Sequence, residues 1–286
     1  MSLHYEVFQV DPKPIPSQIP GFEDAVGPAT WPPSTSTLIW DDGGGALLVD
    51  CLITTGEAAA LARWIGDRGH APDHVYITHP HADHLFGLQA IVAAFPGAKP
   101  VAAAESIEAM RGQVSPAAIE VWSTFFPGQL PDAPIVPAPL AGPEIAIGAA
   151  TAHILPVGIT DTELSTLVHV PDLRLVVSGD VVYNTTHMWL MSSTPDSRAN
   201  WLRALDTVES LGADTVIAGH RHPDAPDDDA RRQVDDSRRY LLDFEIGLKN
   251  STTPAELIDW MTSRHPGLAN PYTLWVAAFD QLGAAR

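Results

Sequence analysis

Short apolar runs alternate with helix-period segments along this 286-residue chain, and their order predicts most of its architecture. The runs "STLIW" and "ALLVD" flank Asp41-Asp42-Gly43-Gly44-Gly45, which predicts a hairpin because glycine tolerates turn dihedrals. "TGEAAALARWIGDRG" reads as an amphipathic helix ending near Gly69, "HVYIT" as the next strand and "LFGLQAIVAAF", through residue 95, as a helix. "KPVAAA" predicts another strand. Residues 103 to 131 predict a helical insertion whose Trp122, Phe125 and Phe126 either overhang a pocket or pack in the core.

A second strand-rich half follows in "EIAIG", "AHILPVG", "STLVHV" and "LRLVVSGD", then the amphipathic "RANWLRALDTVESLG" and the short strand "DTVIAGH". Strands followed by a helix in each half predict two packed sheets with helices outside. Residues 11 to 36, rich in proline and glycine, predict a cover or long loop outside the core layers, and residues 226 to 286 a helical extension. In that extension Thr253 and Pro254 suit a helix cap and first turn. The closing "NPYTLWVAAFDQLG" is apolar enough to pack on the body or on a second copy of the chain, so a homo-oligomer stays open. At this length one domain over residues 1 to 286 is expected, with ample core at 45% apolar content.

Composition narrows the partners. With 35 acids against 16 bases the net charge is -19, which repels a phosphate backbone and disfavours nucleic acid. Cys51 is the only cysteine, which excludes an intrachain disulfide and a thiolate-rich metal cluster. The first residues, "MSLHYEVFQVDPKPIP", lack the basic start and apolar core of a signal peptide, and no run nears the roughly 20 apolar residues of a membrane helix. A cytoplasmic protein without a membrane partner is the expectation.

Candidate chemistry concentrates in "THPHADH", residues 78 to 84, on the loop between a strand and a helix. His79 and His81, two apart in extended chain, lie about 6 to 7 Å apart along the backbone with side chains on one face, an arrangement that holds one metal ion. Asp83 and His84 sit where the chain turns and can reach a second centre. Imidazole and carboxylate donors suit zinc, with manganese or iron possible, while calcium or magnesium asks for mostly oxygen. Asp180 and His220 each end an apolar strand directly after a glycine, so three loops converge on one sheet edge.

These residues resemble the metallo-beta-lactamase fold family, whose signature is His-x-His-x-Asp-His, then a third histidine, a bridging aspartate and a last histidine. The resemblance covers roughly residues 35 to 222 and implies a four-layered αββα sandwich with the site between two sheet edges. It implies that His79 and His81 bind a first ion, that Asp83, His84 and His220 bind a second, and that Asp180 bridges them, with one or two zinc ions. The third histidine is missing: in "VGITDTELSTLVHV" Ile159 stands at its expected place, so the first position is expected to be weakened. His153 lies six residues upstream, too far to replace it. His187 is the better substitute, as a supplementary ligand or substrate contact.

The function expected is hydrolysis of a small molecule by metal-activated water, with Asp83 orienting the nucleophile and His187 or Tyr183 meeting the developing oxyanion. Trp122, Phe125, Phe126, Met188 and Trp189, with Trp31 and Met191, are the candidate substrate pocket. They favour a neutral or moderately apolar ester or lactone, with thioesters, lactams and small phosphodiesters as alternatives. The contrasting expectation, suggested by Ile159, is a metal-binding or assembly protein that keeps the fold without turnover.

Overall fold

The computed structural model describes residues 2–283. Its first sheet runs in the order β1 (Leu3–Val10), β4 (Ser34–Asp41), β5 (Ala46–Val49), β6 (His74–Ile77), β7 (Lys99–Ala102) and β8 (Ala138–Pro139), while β2 (Lys13–Pro14) and β3 (Thr30–Trp31) form a small separate pair. The pairs of β1 with β4 and of β4 with β5 are antiparallel, and the remaining three pairs are parallel. A second sheet orders β13 (Thr215–Ala218), β12 (Leu175–Gly179), β11 (Ser165–Val170), β10 (Ala150–Gly158) and β9 (Glu144–Ile147), with only β12 and β13 parallel.

Apolar side chains explain the layering. Ile39, Leu47, Val49 and Tyr76 of the first sheet pack against Ile147, Ile154, Val168, Val177 and Ile217 of the second, filling the space between them. The opposite face of the first sheet buries Leu38, Leu48, Val75 and Ile77 beneath Leu61 and Ile65 of helix α2 (Thr55–Arg68). Helices α7 (Pro195–Ser210), α8 (Ala230–Asn250), α9 (Pro254–Arg264) and α10 (Pro271–Leu282) share with Leu167, Val176 and Val216 the cluster outside the second sheet. The result is the αββα sandwich, with apolar burial on both faces of each sheet as its main stabilisation.

Local signals set most boundaries. Thr54 and Glu57 form a capping box that starts α2, and Gly69 ends it at φ 74°. Similar boxes start α7 at Thr194 and α9 at Thr253. The helix expected over residues 85 to 95 is α4 (Leu88–Ala94), and a separate short helix, α3 (Ala82–Leu85), precedes it within the histidine motif. The break sits at Gly87, whose amide donates to the Leu52 carbonyl and where a Cβ would collide with the Cys51 carbonyl oxygen. Cys51 itself is fully buried, and burial pushes its thiol well above the usual range.

One strand has no counterpart in the sequence reading, and one expectation needs correction. Strand β1 carries only alternating apolar positions, with no continuous run, yet Leu3, Tyr5 and Val7 face the intersheet core while Phe8 and Val10 face the other side. Residues 11 to 36 do enter a core layer: Ser34–Ser36 belong to β4, and Ile15, Phe22, Ala29 and Trp31 are buried in the first outer cluster. Proline limits backbone pairing there, not side-chain packing. The expected insertion holds α5 (Ile107–Gln113) and α6 (Pro116–Phe125). The last apolar segment packs as α10 on the body, burying Tyr272, Leu274, Ala277 and Ala278. Among the described residues no helix is long and apolar enough to cross a membrane.

The close approach of α4 to the loop at Cys51 is a stability prediction. Gly87→Ala forces the chain apart at a fully packed point and is expected to cost roughly 2 to 4 kcal/mol in a urea titration; a change within ±0.5 kcal/mol contradicts the contact.

Candidate metal centre

Three strand ends and one loop bring seven donor side chains together. His79, His81, Asp161 and Asp180 each present an atom to one group, and Asp83, His84 and His220 to another, with all donor atoms in a group within 4.8 Å of one another. His79 Nε2 lies 3.2 Å from His81 Nδ1 and 3.6 Å from Asp161 Oδ2, and His81 Nδ1 lies 3.1 Å from the same oxygen. Ligands bonded at about 2.1 Å to one ion stand roughly 3.0 to 3.4 Å apart, so this spacing suits a shared ion. Asp180 stands between the groups: Oδ1 is 3.3 Å from His84 Nε2, and Oδ2 is 3.1 Å from His220 Nε2 and 3.9 Å from His79 Nε2.

Three of the four imidazoles have their other nitrogen anchored, which fixes the ring. His84 Nδ1 donates to Asp50 Oδ2 at 2.8 Å, and His220 Nδ1 to the Pro33 carbonyl at 3.0 Å. His79 Nδ1 is 3.0 Å from Thr78 Oγ1, which in turn donates to Asp50 Oδ2 at 2.8 Å. The Thr78 amide donates to Asp50 Oδ1 at 2.9 Å. Asp50 therefore orients one histidine directly and a second through Thr78, as outer partners of metal ligands commonly do. It adopts φ 61°, a left-handed conformation costly for a side chain of this kind. Sequence reasoning passed over Asp50; its only signal was an acid at the end of an apolar strand.

Two glycines make the approach possible. At Gly179, φ 49°, a Cβ would stand 2.6 Å from Thr78 Oγ1 and 3.3 Å from His79 Nδ1. At Gly219 it would collide with Asp180 Oδ1 and crowd His84. The glycines directly before Asp180 and His220 are thus required by the packing of the donors themselves.

The third-histidine question has a structural answer. Ile159 is 48% exposed and lies outside the cluster, its carbonyl accepting from Asn200 Nδ2 at 2.6 Å. Asp161, two residues on, turns inward with a fully inaccessible side chain. A bulge between Pro156 and Gly158, with Gly158 at φ 76°, carries the backbone into this arrangement. Counting from glycine in the sequence missed that bend. A search of the loop for carboxylates as well as histidines would have found Asp161.

Three other expectations are corrected. His187 is buried against Tyr240, whose hydroxyl lies 2.9 Å from Nδ1; burial, then the charge of His265, lower it to about 3. It lines no part of the cavity above the donors. Phe126 and Met188, each 1% exposed, are core residues: Phe126 stacks on Trp122, and Met188 packs in the second outer cluster. Tyr183 does face the site and donates to Asp180 Oδ2 at 2.9 Å. Burial and the neighbouring Asp180 push its phenol well above the ordinary range, so it stays a donor. His153 pairs with Glu144 on the second sheet, away from the cluster.

The donor set fits a cation on two counts. His84 Nε2, Asp161 Oδ2 and Asp180 Oδ1 are buried with no hydrogen-bond partner, an arrangement that costs free energy unless another group satisfies them. Protons also compete for the same sites. Burial opposes charge on His220, but Asp180 and Asp83 overcome it and raise it to about 10; Asp50, Asp180 and Asp83 likewise raise His84 well above its usual value despite burial. Burial and then His84 lower His79 to about 4. Against burial, His84 and His220 hold Asp83 below the ordinary carboxylate range, and His220 and His84 do the same for Asp180.

Above the donors opens a cavity of about 890 Å³. Its walls are Trp31, Trp122, Phe125, Trp189, Tyr272 and Phe279, with His81, Asp83, Asp180, Tyr183 and His220 at its base. Trp31 joins wall to base: its indole Nε1 donates to Asp83 Oδ2 at 3.0 Å while its rings lie 5.4 Å from Trp122 and 5.7 Å from Trp189.

Comparison with known proteins gives a consistent picture. The sequence model of the metallo-beta-lactamase superfamily matches residues 29–220. A hydroxyacylglutathione hydrolase from Stenotrophomonas maltophilia (strain R551-3) is 39% identical over 70 residues, which are 23% of this chain and 26% of that relative's length. A beta-lactamase domain protein from Burkholderia ambifaria superposes at TM-score 0.65 with 18% identity, over 96% of this chain and 86% of the other. A metallo-beta-lactamase family protein from Thermus thermophilus gives the same TM-score and identity over 97% and 92%. At that identity the superpositions establish a shared fold.

Two predictions follow from the anchoring and protonation of the donors. Asp50→Asn removes the carboxylate that orients His84 and Thr78, and calorimetric titration with zinc is expected to give about 10- to 100-fold weaker binding with circular dichroism unchanged; equal affinity contradicts the role. Because His84 and His220 carry protons at neutral pH, metal uptake is expected to release protons at pH 7, read as a binding enthalpy that varies with the ionisation enthalpy of the buffer. A buffer-independent enthalpy contradicts that.

Proposed function

Since the chain belongs to the metallo-beta-lactamase superfamily, we propose that it is a metal-dependent hydrolase of neutral, largely apolar esters or lactones. The observation that carries this reading is the junction of an aromatic cavity of about 890 Å³ with the buried histidine and aspartate cluster at its base. Imidazole and carboxylate donors suit zinc and its neighbours iron and manganese. Divalent ions held there supply Lewis acidity and ionise water near neutral pH.

The chain's own residues do the rest. His79, His81 and Asp161 hold one position, Asp83, His84 and His220 the other, and Asp180 lies between them. Asp83, ionised, has Oδ2 held by the Trp31 indole 3.3 Å from His220 Nε2 and Oδ1 4.0 Å from His84 Nε2, and from there orients the attacking group. Tyr183, a neutral donor, fixes the direction of the Asp180 carboxylate. The aromatic walls hold an apolar acyl or alkoxy group and exclude water, which strengthens electrostatic stabilisation of the oxygen gaining charge.

Charge favours an uncharged substrate. Apart from the donor cluster, the Asp, Glu, Lys or Arg residue that lines the cavity among the described residues is Asp280, and the whole chain carries -19. An anionic substrate meets repulsion from the wall and from the chain as a whole, with attraction only from ions held at the base. The short match to a hydroxyacylglutathione hydrolase supports a second reading, thioester hydrolysis.

A panel of ester, lactone, thioester, lactam and phosphodiester substrates decides between them. Turnover is expected to be highest on neutral apolar esters or lactones, to vanish on chelation and to return with metal. Trp122→Ala is expected to lower kcat/KM on the apolar members by about 10- to 100-fold, the cost of roughly 1 to 3 kcal/mol of lost wall contact, and to spare acetyl esters. Preference for anionic thioesters supports the second reading; metal-loaded protein inert toward the whole panel overturns hydrolysis.

A further inference from the structure

The side chain that closes the first donor group is a carboxylate, and this changes which ions the centre takes. His79, His81 and Asp161, with Asp180 beside them, make a set of two nitrogens and two oxygens. The other group, His84, His220 and Asp83, with the same Asp180 beside it, is again two nitrogens and two oxygens. We infer that Asp161 makes the two metal positions chemically equivalent, so that the protein binds a like pair of ions and accepts manganese(II) or iron(II) at both.

Asp161 is built into its place rather than left there by an accident of the loop. Thr160 Oγ1 donates to its Oδ1 at 2.9 Å, and Ser165 Oγ lies 3.4 Å from the same oxygen and 2.6 Å from Thr160 Oγ1. The Thr160 amide closes a turn on the Thr162 carbonyl at 3.0 Å. From outside, Asn200 Nδ2 of α7 grips the Val157 carbonyl at 2.8 Å and the Ile159 carbonyl at 2.6 Å. One carboxylate oxygen is thereby spent on hydroxyls, and the other, Oδ2, is buried without a hydrogen-bond donor, 3.1 Å from His81 Nδ1 and 3.6 Å from His79 Nε2.

The consequence follows from ligand chemistry. A third neutral imidazole makes a softer position that favours zinc in a closed, four-coordinate geometry, whereas carboxylate oxygen suits harder ions, and two histidines with one carboxylate and open positions suit iron(II). A carboxylate also brings a negative charge that a histidine does not, which offsets the repulsion between two dications side by side. The oxygen donor raises the affinity of the first position for manganese and iron relative to zinc, and the added negative charge helps the second ion bind once the first is in place.

This inference rests on reading the cluster as a metal centre, and metal content separates the two. The 286-residue chain, stripped of metal, is titrated with manganese(II) alone and with zinc alone, followed by calorimetry, elemental analysis and electron paramagnetic resonance; iron(II) is tested under anaerobic conditions. Two manganese ions are expected, with stepwise affinities within about tenfold of each other and a spectrum showing two coupled ions. Asp161→His is expected to pull the zinc affinities of the two positions apart and to raise the zinc-to-manganese preference at the first by about 10- to 100-fold. Asp161→Asn, a smaller change that keeps the hydroxyl contacts, is expected to leave one tight manganese ion; thermal unfolding checks that each variant is folded. Wild-type protein that takes two zinc ions but at most one manganese overturns the inference even if neither variant folds, as does a zinc preference unchanged by Asp161→His. Failure to bind any of these ions overturns the metal-centre reading itself.

Discussion

Everything at the centre of this molecule depends on the cost of burying three carboxylates and four imidazoles with some of their inward atoms unpaired. Asp83, Asp161 and Asp180 lie almost wholly inside, and the atoms they aim at one another's histidines find too few donors among protein groups. Charges removed from water are tolerated only when compensated. Asp180, Asp83 and Asp50 favour protons on His84 and His220 against burial, and the same inward atoms form the two groups that could hold divalent ions.

The sandwich exists around that constraint in a specific way. Strands β5, β6, β12 and β13 are buried and nearly all apolar, so the polar residues that follow them fall at the sheet edges, where loops from both sheets meet. Asp50, Thr78, Asp180 and His220 all stand just beyond such strands. Gly179 and Gly219 then let two of these loops approach the donors of the third more closely than any side chain allows. The strained backbone at Asp50 fits the same account: its conformation is held because one carboxylate serves both Thr78 and His84.

Chemistry and selectivity come from different parts of the chain. The donors belong to the two sheets, while the cavity wall is assembled from the N-terminal cover, the inserted helix α6 and the last helix α10. Trp31 is the joint between them, hydrogen-bonded to Asp83 and packed among the wall aromatics. The aromatic wall thus meets the donor groups at a single hydrogen bond, between Trp31 and Asp83.

The sequence by itself determined the layered architecture, the hairpin at Asp41–Gly45 and the convergence of His79, His81, Asp83, His84, Asp180 and His220. Each of these is written in local apolar periodicity, glycine placement or a dense motif. Only the tertiary structure decided that Asp161 and not Ile159 faces the cluster, because a bulge after Pro156 shifts which side chains of the loop point inward. It likewise assigned His187, Phe126 and Met188 to the core, since residues near a site in sequence still alternate between cavity and interior. Asp50 drew its importance wholly from partners 28 and 34 positions away, contacts that exist only once β5 and β6 lie side by side.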